Sequence, residues 1–321
     1  MPKRMLGRDE AAAGEVSRAL IAGLDEAAAA VEPGHCRDDV AIHEFRKAIK
    51  RHRALLRLTE TARGGAAAER REAGALARRL SGARDLTASL EGLEDILDKQ
   101  LIRAELAAPV RAALETTRKA AEAAHLDDAV RAEVRAFLAR ARAEAAKIAD
   151  ADIPVRSLIL AIAKGYRRMV NAAPADWSAA PAESLHELRK AVVIHRYQME
   201  LAQPLWPRPI ELWIDEVQKL RDRLGQNQDL EALIRFVAAA PHLCDARGRA
   251  RLLAAIRTRQ GQHIAAAEEQ LARLGAERPR AFAERLMAYA GQHTLTAARP
   301  HSATPAGRRR AAPRRAPAKT P

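Results

Sequence analysis

His43, Arg46, Lys47, Lys50, Arg53 and Arg57 recur at helical spacing, and these residue types point to chemistry with anions. A helix turns about 100° per residue, so Arg46, Lys47, Lys50 and Arg57 fall within about 60° of His43. Phe45, Ile49, His52 and Leu56 gather on the opposite side, giving a cationic stripe with an apolar back. Guanidinium groups hold phosphate oxygens in bidentate pairs, ammonium groups add point charge, and an imidazole N–H at the head of the stripe donates a further hydrogen bond.

The stripe occurs twice. The segment from His43 to Arg53, HEFRKAIKRHR, returns from His186 to Arg196 as HELRKAVVIHR, with seven of eleven positions identical at an offset of 143. His186, Arg189 and Lys190 again share one face, and Leu188, Val192, His195 and Met199 the other. Further on, Arg79-Leu80-Ser81-Gly82-Ala83-Arg84-Asp85-Leu86 aligns with Arg223-Leu224-Gly225-Gln226-Asn227-Gln228-Asp229-Leu230 at an offset of 144. This period far exceeds the roughly 20–50 residues of a solenoid repeat. The sequence therefore predicts a duplicated half-domain, its halves facing each other about a pseudo-two-fold axis. Each half is expected to contribute one basic helix and one glycine-containing break.

A helix charged on one side is ordinarily a solvated surface, in which Glu alternates with Lys to gain i,i+4 pairs. From Arg46 to Arg57 there are six basic residues and a histidine with no acid, a repulsion that a bound anion would offset. A single phosphate needs only a few donors or one helix N-terminus. Stripes running several turns, at about 1.5 Å per residue, suit a linear polyanion better. His52 and His195 lie on the apolar side, where inter-helix hydrogen bonds are expected. Asp85 and Asp229 follow the breaks and read as N-caps that also pair with Arg84 or Lys219. The mixture His35, Cys36, Asp38, Asp39 and His43 has metal-ligand types. Its equivalent before His186 has no matching set, so no metal site is expected.

Net charge is +14, from 55 basic and 41 acidic residues. The segment after Thr296 carries seven basic residues and no acid, so half the excess sits there. Its Ala/Pro/Arg composition predicts a disordered tail over 296–321. Aromatics make up 3% of the chain, which argues against base-stacking readers of nucleic acid and requires a core of Ala, Leu, Val and Ile. Two cysteines, Cys36 and Cys244, indicate no disulfide framework. Without an apolar signal segment or a membrane-length run, the sequence reads as cytoplasmic, with no membrane partner.

Ala/Leu/Arg/Glu tracts predict an all-α chain, with helices near 8–31, 38–61, 66–81, 86–106, 109–124, 127–150, 155–172, 182–203, 209–224, 229–240, 245–274 and 278–292. The first repeat is expected over 8–150 and the second over 151–292, with the seam at Ala151-Asp152-Ile153-Pro154.

Residues 8–292 resemble the CHAD family, all-helical domains of two helical-bundle repeats. Each repeat carries a helix of the form His-x-x-Arg-x-x-x-basic-basic-x-Arg. His43, Arg46, Lys50, Arg51 and Arg53 match the first motif. His186, Arg189, Lys190, Arg196, Tyr197 and Glu200 match the second, followed by Val217-Gln218-Lys219-Leu220 and Asp229-Leu230. Val193 and Ile194 stand where basic residues are usual, and Gln228 replaces the arginine that Arg84 supplies in the first half. The resemblance implies a basic central groove or pore that binds inorganic polyphosphate without catalysis or cofactor, in association with polyphosphate granules. The expected ligands are His43, Arg46, Lys47, Lys50, Arg53, Arg57, Arg84, His186, Arg189, Lys190, Arg196, Lys219 and Arg223.

Two other functions compete. His-Glu-Phe-Arg and His-Glu-Leu-Arg resemble the phosphoacceptor helix of sensor histidine kinases, but Lys47-Ala48 and Lys190-Ala191 replace the usual Thr or Asn and Pro, and no ATP-binding domain follows. The basic tail resembles linker-histone tails and would contact nucleic acid without sequence preference, placing the protein at the nucleoid. It does not account for the duplicated stripes.

Overall fold

The computed structural model describes residues 9–60, 64–80, 84–122 and 127–298. These form α1 (Asp9–Ala30), α2 (Asp38–Leu56), α3 (Ala66–Arg79), α4 (Arg84–Asp98), α5 (Ala104–Glu122) and α6 (Asp128–Lys147), then α7 (Val155–Asn171), α8 (Ala182–Ala202), α9 (Pro207–Ala239), α10 (Ala246–Leu274) and α11 (Pro279–Ala298). No strand occurs among the described residues, so the all-α expectation holds. Proline stands at the start of four helices, as the N-cap of α7 and α8 and the first residue of α9 and α11, where its missing N–H costs no helical bond.

The duplication is visible in the packing. Helix α1 packs against α2 and α6 just as α7 packs against α8 and α11, and α4 packs on α5 as α9 packs on α10. The halves meet where α2 packs on α8 and α4 on α9. Gly92 permits the second approach, since a Cβ there would lie 3.2 Å from the Asp229 carbonyl.

Helix boundaries depart from expectation in three places. The second predicted break is absent: α9 is a single 33-residue helix running through Gly225 and Asp229. A mid-helix glycine costs about 1 kcal/mol relative to alanine, whereas α9 packs simultaneously on α4, α8 and α10. Leu220, Leu224, Leu230 and Leu233 bury the stripe that makes those contacts. Asp229 is therefore not an N-cap, and Asp85 sits within the first turn of α4. The turn between α4 and α5 also falls at Lys99–Arg103, leaving Pro109 inside α5. Gln100 takes a left-handed conformation (φ 54°) and donates its N–H to the Leu97 carbonyl at 2.8 Å, while the Leu101 N–H reaches the Ile96 carbonyl at 3.0 Å. This paired closure of a helix end ordinarily uses glycine, so glutamine gave no warning of it. Helix α11 continues to Ala298, past the predicted end at 292 and into the first residues of the predicted tail; 299–321 lie outside the described residues.

The larger core draws on α1, α2, α3 and α6 to α8, the first half of α9, the end of α10, and α11, on both sides of Ala151–Pro154. A smaller core joins Leu93, Ile96, Val110 and Leu114 of α4 and α5 to Leu230, Leu233, Leu252 and Ile256 of α9 and α10. Both are mainly aliphatic, as composition requires. The aromatic exception is Tyr166 stacked on Phe282 at 4.3 Å between centroids, with Trp213 and His195 against them. His195 is fully buried, and its Nε2 accepts the indole N–H of Trp213 at 3.1 Å. His52 is equally buried and bonds Glu69 Oε1 at 2.8 Å, so both histidines of the apolar faces make inter-helix bonds.

Burial pushes the His195 imidazole down to about 3. The unfolded chain takes up this proton near pH 6.5 and the folded chain does not, so this stability is complete above that pH and is lost progressively on acidification toward the folded value. His195→Gln should remove the loss. Urea unfolding at pH 7.5 and 4.5 should show wild type losing about 2–3 kcal/mol more than the variant, and equal losses would contradict the assignment.

Candidate anion-binding cavity

Arg46, Lys50 and Arg53 project from α2 about one turn apart, and Arg57 is the C-cap residue of that helix. His186, Arg189 and Lys190 project from the first half of α8. The two helices meet where Gln198 Nε2 donates to the Ala54 carbonyl at 3.3 Å. Gly165 of α7 makes room for Gln198, since a Cβ at that position would collide with its Oε1.

These seven side chains line one cavity of about 740 Å³. Sequence reasoning missed Arg70 and Arg78 of α3, Arg168 of α7 and Arg235 of α9, which join them. Arg70 and Arg235 occur among acidic neighbours in sequence, and none of the four belongs to the repeated motif. In all, ten basic side chains and His186 face three acids, Asp85, Glu187 and Asp229. Asp85 lies 4.0 Å from Arg235.

The arginines are positioned by small residues and backbone. The Arg53 guanidinium lies against Gly74 of α3, where a Cβ would come within 3.0 Å of Cζ. Arg189 lies against Gly225 in the same way, at 3.4 Å from Nη2, and Arg46 donates to the Ala77 carbonyl. The Nε atoms of Arg53 and Arg57 are buried without a hydrogen-bond partner. Burial, followed by the charges of Arg57 and Arg78, pushes Arg53 below the usual arginine value. Burial and Arg168 do the same to Arg57, and burial with Arg57, Arg53, Arg168 and Arg71 to Arg70. Guanidinium groups remain protonated regardless. The shifts therefore register a site that disfavours its own charge and would be relieved by an anion.

Other expected ligands point elsewhere. His43 is exposed, 3.9 Å from Glu44, and Lys47 pairs with Glu44 at 3.0 Å. Arg196 pairs with Glu200 at 3.0 Å, and Lys219 with Glu216 at 2.6 Å. Arg223 is exposed outside the cavity lining. Arg84 opens α4, but its side chain lies outside the described residues. Asp38 of the mixed His/Cys/Asp segment pairs with Arg131.

An all-helical duplicated domain with a basic cavity between its halves defines a class, and comparison with known proteins names it. The family model for the CHAD domain matches residues 18–238, and the chain belongs to that family. The fold is similar to the crystal structure of the CHAD domain from the plant Ricinus communis, with 18% identity, a TM-score of 0.61, and coverage of 84% of this chain and 94% of that one. It is also similar to PptA from Streptomyces chartreusis, with 16% identity, a TM-score of 0.58, and coverage of 83% and 99%. No curated protein sequence matches the chain. No helix among the described residues is long and apolar enough to cross a membrane.

Gly165→Ala should drive the buried Gln198 side chain from its place and break its bond to Ala54, at a cost of about 1–3 kcal/mol. Urea unfolding checks this. Unchanged stability would mean that the α2–α8 contact tolerates a shifted Gln198.

Proposed function

We propose that this protein binds inorganic polyphosphate in the basic cavity and does so without catalysing its turnover. The observation carrying this reading is the crowding of Arg53, Arg57 and Arg70, whose charges oppose one another and of which Arg53 and Arg57 keep buried Nε donors without partners. Ten cations around about 740 Å³ exceed what one phosphate requires, and a chain of phosphates meets them with repeated charge. Membership of the CHAD family, whose domains bind polyphosphate, supports the same ligand. The protein then operates at polyphosphate granules in the cytoplasm, and its basic tail adds non-specific contacts to polyanions, nucleic acid included.

The test is a titration of the full chain with long polyphosphate, short polyphosphate and duplex DNA at near-physiological salt. Long polyphosphate should bind most tightly, because short chains lose linked contacts. With about six to ten phosphate contacts, affinity should fall by orders of magnitude between low and moderate salt. Arg53→Ala with Arg57→Ala should weaken binding and flatten the salt slope by up to about two units while leaving helical content unchanged. Polyphosphate chain length should stay constant on prolonged incubation. Shortening of the chain, or acid-labile phosphate on His43 or His186 after exposure to a phosphodonor, would replace binding with chemistry.

The halves should contribute unequally. The first supplies Arg46, Lys50, Arg53, Arg57, Arg70 and Arg78 to the cavity, and the second Arg168, Arg189, Lys190 and Arg235. Arg46→Ala should therefore cost more affinity than Arg189→Ala, with both variants checked for folding. Equal losses, or a larger loss from Arg189→Ala, would show that position within the cavity outweighs charge count.

A further inference from the structure

The cations of the basic cavity are not spread evenly. Arg53 and Arg57 of α2, Arg70 of α3 and Arg168 of α7 form one group within it. Beyond burial, the charge of Arg57 bears on Arg53, that of Arg168 on Arg57, and those of all three on Arg70. The three acids of the lining come instead from α4, α8 and α9, as Asp85, Glu187 and Asp229. Glu60 pairs with Arg70, whereas Arg53, Arg57 and Arg168 have no ion pair among the described residues. Hydrogen bonding points the same way independently of charge. The Nε donors of Arg53 and Arg57 are buried without an acceptor, which is costly unless one arrives from outside the chain. The space beside them is kept open by small residues. Ala54, Gly165 and Ala172 line it, and Gly74 lets the Arg53 guanidinium lie close against α3, where a Cβ would meet Cζ at 3.0 Å and Nη2 at 3.1 Å.

We propose that this arginine group receives the terminal phosphoryl of a polyphosphate chain, so that the protein takes hold of chains by their ends. The proposal rests on the polyphosphate reading above and adds which part of the polymer is recognised. An interior phosphate carries one charge and two free oxygens. A terminal phosphoryl offers three acceptor oxygens and a charge approaching two at neutral pH. The most highly charged part of the ligand therefore suits the part of the cavity with most cations, fewest carboxylates and unused donors. Arg46, Lys50, Arg189 and Lys190 share the remaining lining with acids, and that lower net charge suits the singly charged phosphates that follow.

The experiment compares, on the full chain at near-physiological salt, long linear polyphosphate with the same chains capped at both ends as alkyl phosphoramidates. A cap leaves each end with one charge and two free oxygens, like an interior phosphate, and alters the net charge of a long chain very little. Uncapped chains should bind at least about tenfold more tightly than capped ones. Arg53→Gln combined with Arg57→Gln should bring that ratio close to one, with residual binding of both chains through the basic tail. Arg189→Ala combined with Lys190→Ala should weaken both chains and preserve the ratio. If the first double variant does not fold, Arg168→Gln, at an exposed position, is measured in its place and should narrow the ratio. Equal affinity for capped and uncapped chains, or a ratio that survives the arginine changes, would overturn end recognition while leaving polyphosphate binding intact. Binding of neither chain would overturn both.

Discussion

Everything at the basic cavity depends on apolar packing that holds like charges together. Phe45 and Ile49 on α2, and Leu188 and Val192 on α8, are fully buried in one core, and burying those backs turns the cationic faces toward a common space. Two unit charges about 4 Å apart at a surface-like effective dielectric repel by up to about 4 kcal/mol. Each buried aliphatic side chain contributes about 1.5–3 kcal/mol in the other direction. A core of this extent can therefore sustain a cavity that disfavours its own contents. Burial and like charge fall on Arg53, Arg57 and Arg70, of which Arg70 also pairs with Glu60, while Lys47, Lys190 and Lys219 are each matched by a glutamate three residues earlier.

The duplication supplies two copies of a scaffold, and substitution has given them different work. Arg57 and Glu200 occupy equivalent positions one turn beyond the repeated motif, and they line different cavities. Arg53 reaches the basic cavity across Gly74, whereas its equivalent Arg196 turns to Glu200 and stacks over Tyr197 at 5.2 Å. A carboxylate in place of Arg57 thus recruits the neighbouring arginines inward and removes them from the pool facing an anion. Together with Val193 in the place of Lys50, that exchange of sign leaves the second stripe contributing cations only from its first turns.

The repeated helical spacing made α2 and α8, their buried faces and their facing stripes legible in the sequence, because helical periodicity and burial are the same geometric fact. Membership of the cavity was less legible. Arg70, Arg78, Arg168 and Arg235 come from four sites with no shared motif, and only the tertiary packing of α3, α7 and α9 brings them to α2. Lys219 lies one turn before the aligned segment and Arg223 opens it, yet helical phase keeps both out of the cavity lining. Gly225 misled in the opposite sense. A glycine reads as a break when sequence is considered locally, but here the helix runs on unbroken, packed on α4, α8 and α10, and the missing Cβ makes room for Arg189.

The two histidines of each motif answer to different physics, although they recur together. His52 and His195 are buried among apolar side chains with a partner for one ring nitrogen, and the desolvated His195 stays neutral across the physiological range. Their recurrence follows from the need to satisfy a polar group between helices. The leading histidines have no such constraint, and the structure separates them: His186 enters the cavity lining while His43 stays in solvent. A shared anion-binding role for the leading pair would require both to face the same space. Among the motif's polar positions it is Arg46 and Arg189 that do so in both halves, together with Lys190 in the second. The position that both halves commit to the cavity is therefore the arginine three residues after each leading histidine, held by packing to which the buried histidines contribute.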